Sequence, residues 1–171
     1  MTLEFDPIAE AGRNWQRHEW TAIDAMQAAT SLTRATQISQ ARIDAVLAPL
    51  DLNFSRFEVL ALLTFSRTGA LPMGKIGDRL QVHAASVTNT ITRLEASGFV
   101  ERIADPADGR GVIAGLLPAG RAAAEAGAQA LGAIDFGLSG LGGSEQRSVT
   151  DALTSFRAAN GDWTTAASTG V

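Results

Sequence analysis

Residues 73–111, MGKIGDRLQVHAASVTNTITRLEASGFVERIADPADGRG, decide the fold of this chain. They contain two short runs of apolar side chains at helical spacing, and a break at residues 81–83 separates the runs. The first run is Met73, Ile76 and Leu80, and the second is Val87, Ile91 and Leu94. Gly98 follows at a position where glycine commonly ends a helix. Two helices joined by so short a break predict a helix-turn-helix unit.

The second predicted helix carries a polar face beside its apolar stripe. That face consists of Ser86, Asn89, Thr90 and Arg93. Short hydrogen-bonding side chains and a cation match the donors and acceptors that base edges present in the major groove of DNA. A helix that binds a protein groove would carry large apolar anchors there instead. The pattern therefore favours a recognition helix for double-stranded DNA.

The segment after the second helix predicts a β-hairpin. Residues 99–103 and 112–117 are expected to form its two strands. Between them, residues 106–109, PADG, supply the residue types that tight turns use. Residues 71–72 are expected to add a short edge strand, which would complete a three-stranded wing sheet.

A cation stands at the tip of the predicted hairpin. Arg110 lies two residues after Asp108. Beside a recognition helix, such a cation suits the adjacent minor groove, because a narrow groove concentrates negative potential. The alternative is an ordinary surface ion pair, which contributes little. Next to the predicted helix pair the DNA contact is favoured, with Asp108 holding the guanidinium in place.

Two further side chains are predicted DNA contacts. Lys75 stands at the start of the first helix of the pair, where a phosphate contact is expected. His83 precedes the recognition helix and would donate to a phosphate or a base edge. For His83 a solvated turn residue is an equal alternative. Gly77 in the first helix indicates either a close helix–helix approach or simple tolerance of glycine.

The chain resembles the MarR-type winged helix-turn-helix transcription regulators. The similarity is carried by FSRFEVLALL at 54–63, LPMGKIGDRLQVHAASVTNTITRLEASGFVER at 71–102 and DPADGRGVIAGLLPAGR at 105–121. It implies a homodimer, more often a repressor than an activator, that binds a pseudo-palindromic operator with one winged-helix lobe per subunit. Leu117 departs from the threonine usual in the family. Loss of that cap is expected to weaken the next helix start by about 1 kcal/mol.

These features together predict a mainly α fold with a small β-wing, in a single domain over residues 1–171. The winged helix-turn-helix lobe is expected at 54–117, between dimerisation helices at 1–50 and 118–171. A long helix is predicted over 21–50, with apolar residues toward both ends. One small lobe cannot bury such a helix, so a second subunit is favoured over a helix lying along its own domain.

Local signals predict where several helices begin. Asp6 followed by Pro7 fits the start of the first helix. Ser55 with Glu58 three residues later forms a capping-box pattern for the first helix of the lobe. Ser144 is expected to cap the last helix.

The resemblance also implies a small aromatic or phenolic effector, held between the dimer helices and the DNA lobe. Aromatic and cationic side chains near that region are the candidate ligand-binding residues. They are Trp15, His18, Trp20, Met26, Arg34, Phe54 and Arg56. Aromatic residues at helical spacing are also typical of a hydrophobic core, so a packing role is the favoured alternative.

Composition excludes several classes of chemistry. The chain has no cysteine, which excludes disulfides, thiolate metal sites and thiol-based redox sensing. Its two histidines, His18 and His83, lie in different predicted elements, so no metal site is expected. Glycine-rich phosphate loops, nucleophile elbows and HExxH patterns are also missing from the sequence. We therefore predict neither an enzyme nor a cofactor.

Charge gives a mixed indication about the partner. The net charge of −4 argues against a nucleic-acid-binding protein. Residues 69–115 are neutral, however, and the acidic excess lies toward both ends. The alternative is a winged-helix module that binds a protein and no DNA.

Neither a signal peptide nor a long apolar segment is seen, so a cytoplasmic protein without membrane association is expected.

Overall fold

A computed structural model describes residues 3–106, 108 and 111–163. The chain divides into two compact units, Met1–Gly137 and Leu138–Val171. The first unit contains α1 (Pro7–Arg17), α2 (Ile23–Leu47), α3 (Phe54–Phe65), β1 (Ala70–Pro72), α4 (Met73–Leu80), α5 (Ala84–Ala96), β2 (Val100–Ala104), β3 (Val112–Leu116) and α6 (Pro118–Gly132). The second contains α7 (Gly143–Ala159). The predicted fold class, mainly α with a small β-wing, is confirmed, whereas the single domain stays a prediction.

The first helix begins as its sequence predicts. Asp6 is the N-cap of α1, and its carboxylate accepts hydrogen bonds from the backbone N–H groups of Ile8, at 2.9 Å, and Ala9, at 3.3 Å. Gly12 lies where α1 packs on α2, and a Cβ there would collide with the side chain of Gln27. A glycine at this position therefore permits the close packing of the two helices.

Helix α2 is long, and its central section is open to solvent. Ile43 and Leu47 are buried in the core, while every residue from 28 to 38 is exposed. The helix is followed by a 3-10 turn over Ala48–Leu50, close to the predicted end of the helix. None of the described helices is long and apolar enough to cross a membrane.

Helix α3 begins earlier than the capping-box pattern predicts. Asn53 is the N-cap, and its Oδ1 accepts a hydrogen bond from the Arg56 backbone N–H at 3.0 Å. The Asp44 carboxylate, from α2, accepts another from the Phe54 N–H at 3.0 Å. These two acceptors satisfy the first N–H groups of the helix. The prediction of Ser55 as N-cap is therefore wrong, and Ser55 lies within the first turn.

A polar cluster joins the corner between α2 and α3 to the end of α5. Asp51 adopts a left-handed conformation, with φ at 54°. Its carboxylate accepts a hydrogen bond of 2.5 Å from the Ser97 hydroxyl and lies 3.2 Å from Nη1 of Arg56. The Ser97 hydrogen bond, and after it the Arg56 guanidinium, lower the pKa of Asp51 below its ordinary value of 3.8.

The wing sheet has the predicted three strands. They are antiparallel in the order β1-β3-β2, with Val100 opposite Leu116 and Ala104 opposite Val112. The predicted edge strand at residues 71–72 is confirmed as part of β1, which pairs with β3. Strand β2 begins four residues after the end of α5, so the wing sheet directly follows that helix in the chain.

Small residues of α6 pack against the lobe. The buried positions are Gly120, Ala124, Gly127 and Leu131, which recur at helical spacing. Ala122 and Ala128 of the same helix are exposed. Leu117 is the N-cap of α6 and provides no side-chain hydrogen bond, which confirms the predicted missing cap.

The C-terminal unit also starts its helix at an unexpected residue. Gly142, rather than Ser144, is the N-cap of α7. The Glu145 side chain accepts a hydrogen bond of 2.7 Å from the Gly142 backbone N–H. This carboxylate at the helix start accounts for the earlier beginning, since it satisfies one N–H and interacts favourably with the helix dipole.

Gly127→Ala is expected to destabilise the protein by about 1–3 kcal/mol, the usual cost of overpacking a core. A Cβ at this position would lie 2.8 Å from Cδ2 of Phe57 and 3.3 Å from Cδ2 of Leu47. Urea unfolding measures the change. The matched control is Gly132→Ala in the same helix, where a Cβ would meet no atom within 4 Å. That variant should be as stable as the wild type or more stable. Equal losses from both substitutions would contradict this account of α6 packing.

Asp51→Asn is expected to lower the urea midpoint at pH 7, because it removes the charge that Ser97 and Arg56 stabilise. A carboxyl whose pKa is lowered on folding stabilises the fold above its unfolded value and loses that contribution as the pH falls through the folded value. The difference between variant and wild type should therefore persist down to about pH 4 and shrink only below 3.8. Asp78→Asn, at an exposed carboxylate of α4, is the control. A gap that closed already near pH 6 would assign the effect to another group.

Candidate nucleic-acid interface

Three buried side chains fix the rotation of α5. Val87, Ile91 and Leu94 are at most 1% exposed and belong to the hydrophobic core. The remaining face places the predicted readers together. Ser86, Asn89 and Arg93 are exposed and Thr90 is half-buried. One side of the helix is therefore anchored in the protein, and the polar face is directed to solvent.

Three polar side chains of this face have no partners among the residues that the structure describes. Among the hydrogen bonds and ion pairs of the described residues, none involves the side chain of Ser86, Asn89 or Arg93. Their donors and acceptors are exposed and available to a ligand. A helix face of this kind is suited to exchange water for the polar edges of bases.

A second polar side of α5 is paired internally. Arg102, from β2, contacts three residues of the helix: Thr88, Thr92 and Glu95. Its Nη1 lies 2.7 Å from a carboxylate oxygen of Glu95. No local pattern predicts this contact, because Arg102 looks like any charged residue of a hairpin strand.

The turn between α4 and α5 is tight. A Cβ on Gly77 would lie 3.1 Å from the Val82 carbonyl oxygen and 3.5 Å from a methyl group of Val87. The close approach suggested for Gly77 is therefore confirmed. An open groove of about 440 Å³ lies beside this turn, lined on its two sides by Met73 and Thr88 among others.

Lys75, the predicted phosphate contact, and His83, predicted to contact a phosphate or a base edge or else to be a solvated turn residue, lie around this turn. Lys75 is exposed in the first turn of α4, and His83 is the exposed N-cap residue of α5. Neither side chain has a hydrogen bond or ion pair with the residues that the structure describes. His83 provides no side-chain cap to α5, so its imidazole is available for an external partner.

The wing tip is described only in part. The backbone N–H of Asp105 donates to the Gly111 carbonyl at 3.1 Å, and the N–H of Gly111 donates to the Asp108 carbonyl at 2.8 Å. These bonds close the hairpin around an exposed Asp108. Arg110 lies outside the described residues, and so does its predicted pairing with Asp108.

The candidate effector residues form three groups. Trp15 and Trp20 pack edge to face with ring centres 4.5 Å apart, and His18 lies 5.6 Å from Trp20. Arg34 lines a cleft of about 260 Å³ between α1 and α2, while the Met26 sulfur contacts the Thr30 hydroxyl.

The third group lies at the start of α3. Phe54 stacks on Phe57 with ring centres 6.5 Å apart, and Arg56 pairs with Asp51. Within the described part of the chain, no group of three or more histidine, aspartate or glutamate residues is placed to hold a metal ion.

Comparisons with known proteins identify relatives of the chain. The MarR family model matches residues 52–112, which cover most of the winged-helix lobe. The multiple antibiotic resistance protein MarR of Salmonella typhimurium is 33% identical over 79 residues, which are 46% of this chain and 54% of that protein. The chain thus matches about half the length of this curated relative.

Two solved structures are similar over more of the chain. Sco5413, a MarR family transcriptional regulator from Streptomyces coelicolor, is 43% identical, with a TM-score of 0.77 over 84% of this chain and 99% of that one. BpsR of Bordetella bronchiseptica, whose DNA binding is regulated by 6-hydroxynicotinic acid, is 27% identical, with a TM-score of 0.67 over 76% of this chain and 98% of that one. Since the identity to Sco5413 extends over nearly all of that protein, this chain belongs to the MarR family of transcriptional regulators.

Proposed function

We propose that this protein is a sequence-specific DNA-binding repressor that reads its operator with α5. The observation that carries the proposal is the polar face of α5, whose side chains are unpaired while the opposite side is held in the core. A helix presented in this way fits the major groove, where direct readout depends on hydrogen bonds to base edges. Such a repressor acts in the cytoplasm, where its operator is found.

Each part of the lobe has a proposed role on the duplex. The base-reading side chains are Ser86, Asn89, Thr90 and Arg93. Lys75 and His83 contact phosphates near the turn, which positions the helix in the groove. At the wing, Arg110 enters the adjacent minor groove with Asp108 supporting it, as the sequence pattern suggests.

We also propose that the protein acts as a homodimer. Eleven successive residues of α2, from 28 to 38, are exposed, and Leu32 and Ile38 among them are 45% and 49% exposed. In the C-terminal unit, Phe156 of α7 is 63% exposed. Apolar side chains on such long exposed helices are typical of surfaces that a second subunit covers. Two lobes related by two-fold symmetry would bind a pseudo-palindrome with half-site centres about 10 base pairs apart.

The proposal includes relief of repression by a small aromatic or phenolic ligand. BpsR, a relative, has its DNA binding regulated by 6-hydroxynicotinic acid. The cluster of Trp15, His18 and Trp20 offers ring faces to such a ligand, and Arg34 offers a cation at the cleft between α1 and α2. Aromatic acids bind through this combination of stacking and charge.

Substitutions are expected to separate base readers from phosphate contacts. Arg93→Ala or Asn89→Ala should reduce the preference for operator over random DNA by about 1–3 kcal/mol for each lost base contact. Lys75→Ala should weaken binding to both duplexes equally. It should also reduce the slope of the logarithm of the binding constant against the logarithm of the salt concentration by about one. Titrations of both duplexes over a salt series, followed by fluorescence anisotropy, measure both effects.

Two outcomes would contradict this assignment. If Arg93→Ala leaves the preference for operator unchanged, the recognition face has been placed incorrectly. If the wild-type chain binds neither its own upstream DNA nor random duplex at low salt, the DNA proposal fails. A winged-helix module for a protein partner would then be the remaining interpretation.

The dimer is expected to persist at micromolar concentration, which light scattering measures. Leu32→Glu together with Ile38→Glu should shift the protein toward monomer, because both side chains lie on the exposed section of α2. The matched control is Gln37→Glu on the same section, which adds a charge without removing an apolar contact. A well-behaved monomeric wild type would refute the proposed assembly.

A further inference from the structure

We propose that Arg102 is a positioning residue for DNA readout, which sets the orientation of α5 relative to the wing sheet. This inference rests on the proposed function and deepens it, because it names a residue that acts without touching DNA. Arg102 lies on β2, and the residues it contacts lie on α5. It therefore connects the two elements that must meet the duplex at the same time.

The contacts of Arg102 extend over two turns of the recognition helix. Nη1 donates to a Glu95 carboxylate oxygen at 2.7 Å. Nη2 donates to the Thr92 hydroxyl at 2.7 Å and lies 3.4 Å from the Thr88 carbonyl oxygen. Thr92 in turn donates to the same Thr88 carbonyl at 2.8 Å. One guanidinium thus binds three residues along one side of α5.

This chemistry requires an arginine. The planar guanidinium presents several donors in fixed directions, so that it can bind a carboxylate and a hydroxyl at once. A lysine could reach one of these acceptors as a point charge. Arg102 is also the central residue of β2, opposite Ala114 of the middle strand. Its backbone is therefore held by the sheet, which gives a rigid base to the contacts of Arg102 with Thr88, Thr92 and Glu95. We call this set of contacts the clamp.

The contacts of Arg102 add a directional restraint to the rotation of α5 that the hydrophobic core already sets. Val87, Ile91 and Leu94 hold α5 by apolar contacts, which are not directional. Hydrogen bonds to one side of the helix do depend on direction and oppose rolling about the helix axis. The side chains of Arg102 and Glu95 are 32% and 39% exposed, and ion pairs with this exposure contribute little to stability. The consequence of the clamp is therefore orientation more than stability.

Arg102→Met tests the inference, because it keeps the long apolar stem and removes every donor. The operator preference of the variant should fall by at least about fivefold, the effect of losing one good base contact. The salt dependence of DNA binding should stay close to wild type, since no phosphate contact is lost. The urea midpoint should also stay close to wild type, since an exposed ion pair contributes little to stability. Arg102→Lys should recover part of the preference through Glu95.

Two companion variants sharpen the result. Arg13→Met removes an exposed arginine of α1 and should change neither the preference nor the salt dependence. Thr92→Val removes the hydroxyl acceptor and keeps the side-chain shape. It should lower the preference in the same direction, and the Arg102→Met and Thr92→Val double variant should resemble Arg102→Met alone.

Other outcomes overturn the inference. A smaller salt dependence with an unchanged operator preference would make Arg102 a phosphate contact. An unchanged preference with an unchanged salt dependence would leave the clamp without a role in readout. If the wild type itself fails to discriminate between duplexes, the proposed function fails. Amide hydrogen exchange of the free protein then tests whether Arg102 restrains α5. Faster exchange confined to α5 in Arg102→Met supports the clamp, whereas exchange equal to that of Arg13→Met refutes it.

Discussion

The face of α5 that we propose to read DNA depends on the burial of one side of that helix. Val87, Ile91 and Leu94 enter the core, and each buried aliphatic side chain of this size contributes about 1.5–3 kcal/mol relative to exposure. Because helical residues repeat every 3.6 positions, burying this stripe turns Ser86, Asn89 and Arg93 outward. These polar side chains need no contacts of their own to be directed to solvent. Their orientation follows from the stripe on the other side.

The pattern of apolar residues was sufficient to predict the elements of the lobe, but not where each helix begins. Ser55 with Glu58 and Ser144 are good local signals, yet α3 starts at Phe54 and α7 at Gly143. In α3 the neighbouring Asn53 is the cap instead of Ser55, and Asp44, near the end of α2, also accepts the Phe54 N–H. A capping motif consists of neighbouring residues only, so it cannot show that a carboxylate from another helix also accepts an N–H at the helix start.

The candidate site was predictable to the extent that helical periodicity determines it. The four reader positions share one face because their spacing requires it. Arg102 was missed, because its partners lie 7 to 14 residues away and only the folded hairpin brings them together. The effector residues were selected by chemical type and region. The structure distributes them among a tryptophan cluster, a helix cleft and the start of α3, since chemical type alone does not determine proximity.

The internal pairing of charges also reconciles an acidic chain with the proposed DNA-binding face. Glu95 is the only carboxylate on α5, and its pairing with Arg102 neutralises it. On α4 and α5, Lys75, Arg79 and Arg93 have no ion pair with the described residues, and Asp78 is the one carboxylate of these two helices in the same condition, so positive charge is in excess there. The potential that a phosphate backbone meets is set by such local charges, because salt screens charges more than about 10 Å away. The net charge of −4 therefore describes the whole chain and not the surface of α5. By pairing with Glu95, Arg102 contributes to that surface even though it supplies no free cation.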